Sequence, residues 1–145
     1  MGLDMYAYVG RPGQEREYWD SYQPGEREYF DGGTSTVEKP RELAYWRKHP
    51  NLHGWMERLW QERGCPGGVS HDGEEPRFNG IELELDWDDI DRLEADILEG
   101  RLPATTGFFF GQEADDLYRD QDLDFCASAR AELFLGQRVF YNSSW

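Results

Sequence analysis

The run Tyr45-Trp46-Arg47-Lys48 sets two aromatic faces beside a guanidinium and an ammonium. Aromatic faces stack on flat ligands or cover their edges. An Arg fork matches phosphate or carboxylate, and Lys adds a point charge. Two more words share this mixture of bulky aromatics with glycine or hydroxyl residues: Gly107-Phe108-Phe109-Phe110-Gly111 and Phe140-Tyr141-Asn142-Ser143-Ser144-Trp145. Together they nominate a ligand recess of Tyr45, Trp46, Arg47, Lys48, His53, Ser143, Ser144 and Trp145. In that recess Tyr45 and Trp46 wall the ligand, Arg47 and Lys48 hold its anionic group, and Trp145 closes over it. The same residues have a second reading, because aromatic stripes commonly pack in cores and Arg or Lys stems snorkel over them.

Other constellations are weaker. His49 and His53 stand four apart with Cys65 and His71 beyond them, which hints at zinc. Pro50 is expected to interrupt any helix that would bring that pair to one face, so they read as loop and surface histidines. The acidic run Asp86 to Asp91 lacks the glycine and the closing glutamate of a calcium loop. No nucleophile elbow, Walker loop, zinc-protease helix or dinucleotide fingerprint occurs. Cys65 reads as a loop thiol and Cys126 as a core one. No catalytic residue, metal ligand or cofactor is assigned.

These residues must be positioned by a small set of elements. Leu3, Met5, Ala7 and Val9 alternate with polar or aromatic neighbours, which predicts a strand over Leu3–Val9. Residues 14–39 show no sustained period and read as a long loop with a short hairpin between Glu15 and Phe30. Pro40 is expected to open a short helix through Lys48. Leu52, Trp55, Met56, Leu59 and Trp60 repeat at helical spacing, and Gly64 closes that helix. A second loop covers 65–80. Ile81–Leu85 alternates as a strand, and a helix capped by Asp86 follows to Leu98. A further helix is expected from about Asp122 to Leu135, then a strand at Val139–Tyr141. The fold class is α+β: one domain over 1–145, with three to four helices packed on a small antiparallel or mixed sheet. The first and last strands are expected side by side.

The net charge is −15, from 30 acidic and 15 basic residues, and the stretch 72–124 holds nearly all the excess. Such a field repels nucleic acid and anionic membrane and attracts basic protein surfaces. Two cysteines are too few for a disulfide scaffold and suit a reducing cytoplasm. No apolar run approaches the roughly 18 residues of a membrane span, and Met1-Gly2-Leu3-Asp4 lacks the regions of a signal peptide. A homodimer is compatible with the sequence if it avoids the acidic stretch. Tyr18, Trp19, Tyr22, Tyr29 and Phe30 would be its contact.

The opening Met1-Gly2-Leu3-Asp4-Met5-Tyr6, the segment Glu42 to Lys48 with His53 and Trp55, Gly107 to Gly111, and the closing Tyr141 to Trp145 occur in this order. In these words the chain resembles a family of short phage and prophage proteins. It departs from the family pattern at His49-Pro50 and at Gln112. The resemblance implies a context: a cytoplasmic accessory protein, in the host cell if phage-encoded, of the kind that blunts host defence. Two functional expectations follow. One is non-catalytic capture of a small anionic, nucleotide-like ligand such as a host immune signal. The other is an acidic imitation of nucleic acid that binds a basic host protein. It would use Glu82, Glu84, Asp86, Asp88, Asp89, Asp91 and Asp96, with Asp115, Asp116, Asp120, Asp122 and Asp124.

Overall fold

The computed structural model describes residues 2–25, 33–70, 72–105 and 112–145, apart from the side chains of 112–115. Four strands form one antiparallel sheet: β1 (Asp4–Gly10), β2 (Arg41–Arg47), β3 (Leu83–Leu85) and β4 (Arg138–Ser144), in the order β2-β1-β4-β3. The helices are α1 (Gln14–Asp20), α2 (Pro50–Glu62), α3 (Trp87–Leu98) and α4 (Gln112–Phe134). The fold is α+β, and β1 and β4 lie side by side as the sequence leads one to expect.

Strand alternation gives the sheet two different faces. Met5, Ala7 and Val9 of β1 join Trp46 of β2, Leu83 and Leu85 of β3, and Val139 and Tyr141 of β4 on the core face. Leu52, Met56, Leu59 and Trp60 of α2 pack there, with Ile90, Leu93 and Ile97 of α3 and Phe125, Cys126 and Ala129 of α4. Tyr8 and Phe140 are buried too, but they stand outside this core and stack on each other on the second face, with ring centres 5.7 Å apart.

The expected helix over 41–48 is a strand. Glu, Leu, Ala, Arg and Lys all favour helix, and Leu43 and Trp46 keep helical spacing, yet pairing with β1 overrides that local preference. Side chains of α4 protect the outer edge of this strand. Gln121 Nε2 donates to the Tyr45 carbonyl at 2.5 Å, and Tyr118 Oη donates to the Arg47 carbonyl at 2.6 Å. Lys48 then takes a left-handed backbone (φ 59°) and donates its N–H to the Leu3 carbonyl at 2.9 Å, turning the chain into α2. Pro50 does not stop a helix here. It occupies the first turn of α2, where its missing N–H costs nothing.

The long loop expected over 14–39 contains α1, and α4 begins ten residues before the expected Asp122. By contrast, α3 carries the predicted cap: Asp86 Oδ1 accepts from Asp89 N, and Asp89 Oδ2 accepts from Asp86 N. The Gly107–Gly111 word, Tyr29, Phe30, His71 and the side chain of Asp115 lie outside the described residues. Among the described residues, no helix is long and apolar enough to cross a membrane.

Candidate functional site

The nominated residues gather at one end of the sheet but divide between its faces. That end is formed by the close of β2, the start of β1, the close of β4 and the first turn of α2. In the last register, Asp4 pairs with Arg47 on one side and with Ser144 on the other. Cross-strand partners share a face, so Arg47, Asp4 and Ser144 make one row on the second face. The next row on that face is Tyr45, Tyr6 and Asn142. Arg47, Lys48 and Ser144 are exposed, and Tyr45 is 47% exposed. Tyr45 Oη donates to Asp4 Oδ1 at 2.6 Å, and this bond raises the phenol's pKa by favouring the protonated form.

Trp46, His53 and Ser143 belong to the core side. Trp46 is 0% exposed, and its Nε1 donates to Asp122 Oδ1 at 2.8 Å. The other oxygen of Asp122 meets His49 Nε2 at 2.7 Å, and the His49 ring stacks on Tyr118 at 4.9 Å. His49 is therefore an interior residue, contrary to the loop or surface position expected of it. His53 is also buried. Its Nδ1 lies 2.7 Å from Tyr141 Oη, and its ring stacks on Phe78 at 5.2 Å and meets Trp145 edge-on at 6.5 Å.

Burial holds the His53 pKa down at about 4, and burial drives the Tyr141 phenol well above its usual range. Both groups are neutral at physiological pH. The phenol and the imidazole share one hydrogen bond whose donor depends on the imidazole tautomer. Ser143 Oγ, next along this face of β4, is buried and makes no hydrogen bond of ordinary length and angle. Its proximity to Tyr141 only moderates the effect of burial on the phenol.

Trp145 is anchored at the rim. Its N–H donates to Asn79 Oδ1 at 3.1 Å, its carbonyl accepts from Asn79 Nδ2 at 3.0 Å, and its indole N–H donates to the Phe78 carbonyl at 3.2 Å. The residue is 36% exposed. An open hollow of about 340 Å³ lies nearby, lined by Gly67, Val69, Glu74, Glu75, Arg77, Asn79 and Ile81. Its two carboxylates and single cation suit an anion poorly. Among the described residues, no group of three or more His, Cys, Asp or Glu is placed to hold a metal.

The sequence did not point to Asp122, Tyr141, Asp4 or Phe78 as members of this region. Asp122 was read as a helix start and as one charge in an acidic row, whereas here its two oxygens serve an indole and an imidazole. Comparison with protein-family models, with characterised proteins and with solved structures yields no match.

Proposed function

We propose that this end of the sheet captures a small anionic, nucleotide-like ligand without transforming it. The observation that carries the reading is the row Arg47, Asp4 and Ser144, with Tyr45 on the adjoining row and Lys48 and Trp145 next along their strands. Arg47 and Lys48 bring two cations to one rim of a chain whose net charge is −15. Arg47 offers a bidentate fork to phosphate, and Tyr45 on the same face offers an aromatic ring to a base, while Trp145 closes the rim from the core side. Ser144 adds a hydroxyl. Trp46 and Ser143, buried on the core face, support the rim without touching a ligand. His53 acts through its packing under Trp145.

The resemblance to phage proteins suggests the setting, in which sequestering a host immune nucleotide would be useful. The acidic alternative has less in its favour. Tyr8 donates to Glu82, Arg138 pairs with Glu84, Arg63 with Asp89 and Arg130 with Asp91. Trp55 donates to Asp96, and Asp122 is buried. Asp89 and Asp122 are thus buried, and the half-buried Glu84 and exposed Asp91 are paired with arginines, so the row is broken by cations, while Asp86, Asp88, Asp116, Asp120 and Asp124 remain exposed.

Calorimetric titration with cyclic and linear nucleotides tests the proposal. Binding is expected for at least one member of the panel, with Arg47→Ala weakening it by about tenfold or more, the scale of a lost charged hydrogen bond. No binding across the panel, or equal affinity in the variant, would overturn it.

A further inference from the structure

On the second face of the sheet, α1 is held in an unusual way. It has seven residues, none of them buried, and no side-chain cap. Its apolar contribution to docking is therefore small, and polar contacts must hold it. Glu82, just ahead of β3, accepts the N–H of Gly13 at 2.9 Å and the Tyr8 hydroxyl at 2.7 Å. Glu15, in the first turn of α1, reaches the same place. Its Oε2 is buried and makes no hydrogen bond of ordinary length and angle, though the Tyr6 and Tyr8 hydroxyls and Asn142 lie close enough to act on the carboxyl. The groups facing it are Tyr6 and Tyr8 from β1, Asn142 from β4, and the second carboxylate, Glu82. Elsewhere on α1, Arg16 lies beside Asp20, and Arg11 just ahead of the helix pairs with Glu17. Arg138 pairs with Glu84.

The return segment is tied to α1 by side-chain contacts. Ser21 Oγ and Ser35 Oγ are 2.5 Å apart, Gln14 Nε2 donates to the Glu38 carbonyl at 2.7 Å, and the Lys39 ammonium lies 5.5 Å from the Trp19 ring centre. These contacts make α1 and residues 33–39 one covering unit.

We propose that α1 is a pH-sensitive cover over Tyr8, latched where Glu15 meets Glu82, and that it loosens as pH rises. Two carboxylates share one partly buried site; Arg138, paired with Glu84, also acts on Glu82, which leaves Glu15 as the carboxyl that ionises at a cost. Burial pushes the Glu15 pKa up; the Tyr8 and Tyr6 hydroxyls oppose it, the charge of Glu82 adds a smaller upward push, and Asn142 a smaller downward one. The sign follows from that direction. The docked state binds the proton more tightly, so its stability is fully present below the ordinary carboxyl pKa. It is lost as pH rises through the raised docked-state value. Opening bares the Tyr8 ring beside Tyr6 and Asn142, an aromatic strip continuous with the Tyr45 row, while Arg138 stays over Phe140.

Hydrogen exchange of the 14–21 amides, corrected for intrinsic rates between about pH 5 and about pH 8, tests this without reference to any ligand. In the wild-type chain, protection should fall severalfold over that range while α3 amides keep theirs, which separates loosening of α1 from global unfolding. Glu15→Gln should keep α1 protected and flatten the dependence. Glu82→Gln, which removes the facing charge but keeps an acceptor for Gly13, should flatten it too. A flat wild-type profile, or an unchanged slope in either variant, would overturn the proposal.

Discussion

His53 shows how a residue can be conspicuous in a sequence for the wrong reason. Beside Trp55 it suggested a ligand contact, whereas its ring lies within the core against Phe78 and hydrogen-bonds to Tyr141. Trp46 is similar, since its indole serves Asp122. Those partners lie 88 and 76 positions away along the chain, so no local pattern could have paired them. The sequence singled out these polar-tipped rings as ligand contacts, and packing gave them partners within the fold instead. A pH prediction follows from the neutral imidazole. The folded-state pKa of about 4 lies below the usual 6.5, so this stability is fully present above pH 6.5 and fades as pH falls through the folded value. The gap corresponds to a loss on the order of 3 kcal/mol by about pH 4. Urea unfolding across that range should show His53→Gln, whose amide keeps both a donor and an acceptor for the Tyr141 hydroxyl, losing less stability on acidification than the wild type. Parallel curves for the two chains would place the acid sensitivity elsewhere.

At the scale of elements, legibility followed the strength of the local signal. The first strand alternates cleanly, and α3 has both a capping box and an apolar stripe, so each was readable in isolation. The β2 segment was not, because its residues favour helix and its strand character comes only from pairing with β1. Helix α1 was missed because it has no apolar stripe to find: none of its residues is buried. Helix α2 adds a constraint that composition hides. Gly54 faces Thr105, whose N–H donates to Asn51 Oδ1 at 2.9 Å, and a Cβ at position 54 would overlap the Thr105 hydroxyl. Alanine is the better helix former, yet the close approach decides the outcome. Gly54→Ala should destabilise the fold by about 1–3 kcal/mol, the usual cost of overpacking. Pairing it with Thr105→Ala should recover most of that loss, and a double-mutant cycle by denaturant unfolding would read the coupling. Gly54→Ala that stabilises the chain would show that 102–105 yields without cost.

The whole molecule balances its charge through tertiary contacts that composition cannot display. Positions 72–124 carry the acidic excess, and arginines from outside that stretch reach into it. Arg63 pairs with Asp89, Arg138 with Glu84, and Arg130 with both Asp91 and Glu94. The Arg130 clasp ties α4 to α3, and its hydrogen bonds hold Glu94 below the ordinary carboxyl range. These contacts still leave a net −15 on a domain with a radius of gyration of about 15 Å. Two effects of salt then compete. Exposed pairs such as Arg92–Glu62 at 3.4 Å contribute at most about 1 kcal/mol each and weaken when screened. Repulsion among the unpaired carboxylates acts over longer distances and weakens as well. At about 20 mM salt the screening length is about 20 Å and spans the domain; at about 500 mM it is about 4 Å, close to the contact distance of a pair. Long-range repulsion is thus removed first while contact pairs keep much of their attraction, so added salt should stabilise the fold. Raising sodium chloride over that range should increase Tm by roughly 3–4 °C, equivalent to about 1 kcal/mol for a chain of this length. A scanning-calorimetry series would measure it. A falling Tm would mean that the arginine clasps outweigh the net charge.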